Sequence, residues 1–347
     1  MSENTKINIR HLSTEEIASF LEYHGEKPFR AKQIYEWLWK KGVHSFSEMT
    51  SLSLATRSLF DENFYIHSLK VENIQKSSDK TIKYILSLHD GETVEAVLIP
   101  SGKRSTACVS TQAGCPLGCR FCATASLGLK RNLDFEEIFD QVMFIHQQSL
   151  EIYSQPLTNI VIMGMGEPLL NYENLMKATG KISSPEGMNM SPQRITVSTA
   201  GIPDKIKQLA DDDARFSLAL SLHSANGTKR NMIMPVNKAY PLSALIEAFK
   251  YYHDKTNKRI TIEYILFNNF NDSIEDAEDL LKFCKNFPVK INIIEYNTID
   301  NSDYTGSPEE KLIRFKEYLE GKNLVVNIRY SRGKDISAAC GQLVNKY

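Results

Sequence analysis

Three cysteines stand close together in Cys115-Pro-Leu-Gly-Cys119-Arg-Phe-Cys122, at C-x3-C-x2-C spacing on a segment that carries Gly and Pro. Such a loop lets three thiolates converge on one metal centre. A [4Fe–4S] cluster normally takes four cysteines. Three would leave one iron open, and an open iron can bind a substrate. Zinc is the alternative reading. Structural zinc sites are four-coordinate and use paired Cys, or Cys and His, ligands. The chain has no second C-x2-C, and no C-x2-C followed by H-x3–5-H. Cys108 is the nearby thiol that could complete a zinc site. The remaining cysteines are Cys284 and Cys340. A disulfide framework is not expected in a chain this long in a reducing compartment.

A second group of polar residues shares one placement. Strands are expected at 159–164, 194–199, 216–222, 259–267, 289–295 and 324–329, from their runs of β-branched residues. Helical patterns lie between them, at 135–148, 241–253, 274–286 and 308–320. That alternation argues βαβ units and a parallel sheet. Gly166-Glu167-Pro168 follows the first of these strands. Ser198 ends the second, Ser221-Leu222-His223 ends the third, and Asn297 follows the fifth. In α/β barrels and open α/β sheets the C-terminal strand edge hosts the active site. Each residue alone also suits a turn, a cap or a satisfied polar group. Their common position singles them out. No G-x-G-x-x-G follows the first strand, which weakens a dinucleotide-binding reading.

The elements before this region differ. Residues 1–65 read as helical. Ser13 and Glu16 form a capping-box signature ahead of Ile17, Phe20 and Leu21. A second helix is expected over 30–41, with Gly42 as its stop and Lys32, Lys40 and Lys41 on its polar face. Residues 80–111 alternate in the β manner, with Gly91 between the first two strands. Glu95 lies in the second of these, between Val94 and Ala96. A carboxylate among apolar residues has a raised pKa and suits a general base. Ile274, Ala277, Leu281 and Cys284 share a helical face, so Cys284 reads as core.

The 347 residues include 42% hydrophobic and 24% charged residues, with a formal net charge of −1. These values are globular and exclude a bulk positive field, though a local basic groove still serves RNA. Arg329, Arg332 and Lys334 are candidates for phosphate contacts. No apolar signal segment begins the chain, so no membrane association and a cytoplasmic address are the expectation.

Cys115-x3-Cys119-x2-Cys122, with Phe121 before the last cysteine, resembles the radical S-adenosylmethionine (SAM) superfamily. The text Cys108-Val-Ser-Thr-Gln-Ala-Gly-Cys115, Met163-Gly-Met-Gly-Glu-Pro168, Ser221-Leu-His223 and Ala339-Cys340-Gly-Gln-Leu343 narrows the resemblance to the RlmN/Cfr family of RNA methyltransferases. That resemblance spans nearly the whole chain. It implies a partial (β/α)6 barrel at 101–347, a helical RNA-contacting accessory domain at 1–65 and a β-rich connector at 66–100. It implies methylation of adenine C2 in 23S rRNA and in tRNA. C2 is an electron-poor carbon without a lone pair, so a radical route is needed.

The family's residue roles carry over to matching positions. Cys115, Cys119 and Cys122 hold the cluster. Gly166, Glu167, Ser198, Ser221, Leu222, His223 and Asn297 bind SAM. Cys340 carries the methyl group, two SAM molecules being used per turnover. Cys108 resolves the protein–RNA adduct through a transient disulfide with Cys340, and Glu95 accepts the ring proton. An electron donor such as flavodoxin is implied, and a monomer is expected because an RNA helix must reach the strand ends. C8 methylation of the same rRNA base is the alternative, and Pro168 after Gly166-Glu167 favours C2. A zinc-stabilised, non-catalytic RNA-binding module is the rival from another class.

Overall fold

The computed structural model describes residues 6–300 and 302–345. Residues 1–5, 301 and 346–347, which fall within the expected accessory and barrel segments, lie outside the described residues. Ten described strands form one sheet in which chain order and spatial order agree. They are β1 (Lys70–Lys76), β2 (Ile82–Ser87), β3 (Thr93–Ser101), β4 (Arg104–Cys108), β5 (Asn159–Ile162), β6 (Ile195–Thr199), β7 (Ser217–Ser221), β8 (Ile260–Leu266), β9 (Val289–Glu295) and β10 (Val326–Arg329).

The sheet changes character at β4. Strands β1 to β4 pair antiparallel. From β4 onward every pair is parallel. Cys108 therefore sits opposite Val97 on β3 and Val161 on β5. The segment holding Cys108, expected as part of the antiparallel region, also opens the parallel array. Parallel strands are covered on both faces and read as continuous apolar runs. Ile260–Leu266 is buried at all seven positions. The array is open, since β10 has only β9 as a neighbour and does not return to β4. It is thus a partial barrel of α/β type.

The expected helices are present, with longer or shorter ends. Phe135–Tyr153 starts at an Asp134–Glu137 capping box. Leu242–Thr256, Ile274–Cys284 and Glu309–Glu320 follow. Tyr172–Ser183, Pro203–Asp211 and Gly227–Ile233 add three that periodicity had not marked. Cys284 is core, as expected.

The N-terminal helices are Thr14–Tyr23, Arg30–Glu36 and Leu54–Asn63. Both halves of the Ser13–Glu16 capping box are formed. The second helix tightens into a π-helical turn at Trp37–Lys41 and stops at Gly42. Trp39 is fully buried and lies against Phe135 and Phe139, with ring centroids 5.7 and 5.1 Å away. Beside it, Arg10 Nη1 meets Asp140 Oδ2 at 2.6 Å, both side chains being buried. These contacts fix the helical start to the long helix Phe135–Tyr153.

The C-terminal segment returns across the chain to the antiparallel strands. Asp335 accepts from Ser77 Oγ and the Ser78 amide at 2.5 and 3.0 Å. The Gly333 amide donates to Asp79 Oδ2 at 3.0 Å, and Asn345 Nδ2 donates to the Thr93 carbonyl at 2.8 Å. Arg332 and Lys334 already face Asp79 and Glu295, which leaves Arg329 as the exposed cation of the three expected phosphate contacts.

Removing one partner of a buried ion pair strands the other charge and costs about 3–5 kcal/mol. Arg10→Met is therefore expected to destabilise the protein by about that amount in urea unfolding, with Arg10→Met/Asp140→Leu recovering most of the loss.

Candidate active site

The cysteine motif forms a loop pinned at both ends by backbone hydrogen bonds. The Cys115 amide donates to the Gly128 carbonyl at 3.0 Å, and the Ala123 amide donates to the Gly341 carbonyl at 2.7 Å. The second contact brings the Cys340 segment against the loop. Gly341 has φ +83°, and a Cβ there would meet the Phe121 carbonyl at 3.1 Å. A side chain at 341 would push the two segments apart.

Cys115, Cys119, Cys122, Cys340, Gly166, Glu167, Ser198, Ser221 and His223 line one cavity at the C-terminal ends of β5 to β9. Two expected residues stand outside that lining. Leu222 is fully buried in the core and contributes its carbonyl to Arg230. Asn297 is buried and donates from Nδ2 to the Cys340 carbonyl at 3.3 Å. Its Oδ1 is buried without a hydrogen-bond partner, so it keeps an acceptor for a donor arriving beside Cys340.

The thiol geometry discriminates between metals. Among the described residues, one set of three His, Cys, Asp or Glu ligand atoms lies within 4.8 Å, and it is His11, Asp134 and Glu136. The three thiols therefore stand farther apart than that. Tetrahedral zinc with 2.3 Å bonds would draw its sulfurs to about 3.8 Å. Cys108 is turned away as a ligand, because its thiol meets the Met163 amide and couples electrostatically to Cys340. Wide spacing and a three-thiol donor set fit an iron–sulfur cluster with one open iron, and do not fit closed zinc. Burial raises all three thiols, that of Cys115 to about 12. Loading metal must then release protons.

Arg230 supplies the nearby positive charge. It is fully buried and donates to the carbonyls of Ala200 (2.6 Å), Leu222 (3.1 Å) and Ser221 (3.4 Å), and to Asn237 Oδ1 (2.8 Å). Among the described residues no carboxylate pairs with it. Burial lowers its pKa to about 10, and coupling to Cys119 opposes that fall. It remains a cation at neutral pH and ties together the loops after β6 and β7.

The strand ends are set by similar devices. Glu167 is buried and accepts from the amides of Leu169 (3.0 Å) and Ala200 (2.8 Å). Burial raises its pKa against these hydrogen bonds. Gly166 has φ +101°, and a Cβ there would sit 2.6 Å from Gln112 Cβ. Ser198 Oγ and Ser221 Oγ are 3.1 Å apart. His223 holds a left-handed backbone, φ +55°. Its Nδ1 accepts from the Ile265 amide at 3.1 Å, which places the proton on Nε2. Burial, then the charge of Arg230, lowers its pKa to about 3. It is a neutral donor across the working pH range.

Cys340 and Glu95 complete the arrangement. Cys340 keeps accessible surface as a residue, yet its thiol is crowded by protein atoms, and burial pushes it up to about 11. Cys108 is buried one strand away, and all six cysteines are free thiols. The disulfide implied by the family resemblance is thus not formed here. Glu95 is fully buried on β3. Its Oε2 accepts from the Val344 amide at 3.1 Å, and its Oε1 faces Lys83 Nζ at 3.2 Å without hydrogen-bond alignment. Burial raises its pKa and Lys83 opposes the rise. Glu263, buried on β8, also faces the cavity and accepts from Asn292 Nδ2 at 2.8 Å. Sequence reasoning missed Lys83, Arg230 and Glu263. The signal available was a charged residue inside an apolar strand, for Lys83 and Glu263.

Two family models match the chain: the ribosomal RNA large subunit methyltransferase N-terminal domain at residues 7–66, and the radical SAM superfamily at 109–284. A relative from Christiangramia forsetii, named a probable dual-specificity RNA methyltransferase RlmN, is 52% identical over 344 residues, covering 99% of this chain and 98% of its own. One of the same name from Bacillus velezensis is 42% identical over 336 residues, covering 97% and 92%. The crystal structure of a radical SAM methyltransferase from Sphaerobacter thermophilus superposes with a TM-score of 0.92 at 36% identity, covering 97% of this chain and 99% of that one. With a match at this level over nearly its whole length, and with the thiols, strand-end residues and Cys340 gathered at one cavity, the chain belongs to the RlmN family of radical SAM RNA methyltransferases.

Proposed function

We propose that this protein methylates C2 of adenine in 23S rRNA and in tRNA, with Cys340 as the carrier of the methyl group. The observation that carries the reading is the position of Cys340. It shares a cavity with the three cluster cysteines, lies within electrostatic reach of Cys108, and sits on a segment whose Val344 amide holds Glu95. A cluster held by Cys115, Cys119 and Cys122, acting on SAM, supplies the one-electron chemistry that an electron-poor carbon requires. Two SAM molecules are used per turnover, and an outside electron donor such as flavodoxin is required.

The residues of the chain have separate tasks. Glu167, Ser198, Ser221 and His223 offer acceptors and donors at the strand ends, to hold the methionine and nucleoside parts of SAM. Gly166 keeps the backbone low over Gln112 so that the cavity stays open. Asn297 fixes the Cys340 carbonyl. Glu95 takes the proton from C2 once the new carbon–carbon bond has formed. The Cys108 thiolate attacks Cys340 Sγ, and the sulfur–carbon electron pair leaves with the methylene carbon, which is then protonated. Pro168 after Gly166-Glu167 supports C2 rather than C8. We assign residues 1–65 to RNA contact, 66–100 to a connector that docks the Cys340 segment, and 101–347 to catalysis, and we expect a monomer.

Cys340→Ala is expected to abolish methyl transfer while cleavage of SAM continues, measured as 5′-deoxyadenosine against methylated RNA. Normal methylated product from this variant would remove the carrier assignment. Cys108→Ala is expected to accumulate a covalent protein–RNA adduct on denaturing gels. Loss of iron in its place would make Cys108 a ligand. Product formation is expected to fall on the acid side, because Glu95 must be ionised to accept a proton and burial has moved its pKa upward. Raising the pH through that pKa restores the rate, and a limb unchanged in Glu95→Gln would count against Glu95 as the base.

A further inference from the structure

Lys83 is 2% exposed, in a strand whose residues 82–86 are all buried. Lysines are almost never so buried unless paired. The strand register supplies its partner. Ile85 lies opposite Glu95 and Lys83 lies opposite Val97. Lys83 and Glu95 are therefore diagonal neighbours on the same face of the β2–β3 pair. The ammonium reaches Glu95 Oε1 at 3.2 Å and donates to the Ser337 carbonyl at 3.3 Å. Ser337 and Val344 flank Cys340, so the pair grips the methyl-carrying segment on both sides. Lys83 also lines a large open cavity beside Cys119, Cys122, Gln342 and Val344, whereas Glu95 is not in its wall.

We propose that Lys83 is a positioning residue for proton transfer: it holds the Glu95 carboxylate ionised and oriented, and it registers the Cys340 segment against that carboxylate. The proposal rests on Glu95 being the proton acceptor. In the step, the C2–H bond of the adduct breaks, the proton passes to a Glu95 carboxylate oxygen, and the electron pair stays in the purine. The ammonium keeps its protons throughout. Lys83 is the charged group that faces Glu95. The other contacts are the Val344 and Asn345 amides, and the Met165 sulfur and Ser110 hydroxyl on the Glu95 backbone. Without Lys83, burial acts on the carboxylate unopposed by any charge, and the acid limb of the reaction moves to higher pH.

The test is single-turnover formation of 2-methyladenosine in a 23S rRNA fragment, per methylated Cys340, from pH 6 to 9. Cluster-loaded wild type, Lys83→Met, Lys83→Arg and Glu95→Gln are compared. Lys83→Met is expected to be about tenfold slower at pH 7, one pK unit being tenfold in ionised fraction, and to recover toward pH 9. Lys83→Arg keeps the charge and is expected to hold the limb near its wild-type position. A wild-type rate and limb in Lys83→Met overturns the proposal. If Lys83→Met does not fold, Lys83→Gln is measured in its place under the same criteria. A wild-type profile in Glu95→Gln overturns the underlying assignment of the base, independently of the lysine variants.

Discussion

The parallel pairing of β4 with β5 is the constraint on which the rest of the molecule depends. β4 pairs antiparallel with β3 on one side and parallel with β5 on the other. This one strand fuses a hairpin array to a partial barrel in a single sheet. It sets Cys108 at the barrel's first strand end, and it sets Glu95 one strand further over. The C-terminal segment then has a surface to return to. It crosses from the last parallel strand to β1, β2 and β3, and it carries Cys340 over the cysteine loop on the way. Loss of the β4–β5 register would separate the carrier thiol from the resolving thiol.

Burial dominates the electrostatics of the cavity. It raises the thiols of Cys108, Cys115, Cys119, Cys122 and Cys340, and the carboxyls of Glu95, Glu167 and Glu263. Two buried cations offset this bias. Arg230 lies by Cys119, where a thiolate-bound cluster would bring negative charge. Lys83 lies by Glu95. Each is held by carbonyl groups as well, which orders the loops they touch. His223 is the neutral counterpart, with its tautomer set by the Ile265 amide. A dry cavity strengthens all of these interactions.

Much of the site was legible in the sequence because its signals are local. Three thiols at fixed spacing, a capping box at Ser13 and polar residues at the ends of apolar runs all follow from short-range rules. The alternation of strands and helices gave the α/β class, and five of the six expected parallel strands shifted by only one or two residues at an end. What was not legible is long-range. Nothing local says that Asp335 reaches Ser77, or that Val344 caps Glu95 across 249 intervening positions. The roles of Lys83 and Glu263 were hidden for another reason. Their strands are buried on both faces, so the period-two contrast that exposes an inward charge is absent. Arg230 sits on a short helix that periodicity did not mark, and its burial comes from loops far apart in the chain.

The most direct test of the account is mass spectrometry of methyladenosine isomers in RNA from cells lacking this gene, with and without the wild-type gene restored. The account predicts that restoration returns 2-methyladenosine to both 23S rRNA and tRNA. Appearance of 8-methyladenosine alone, or of neither isomer, would contradict it.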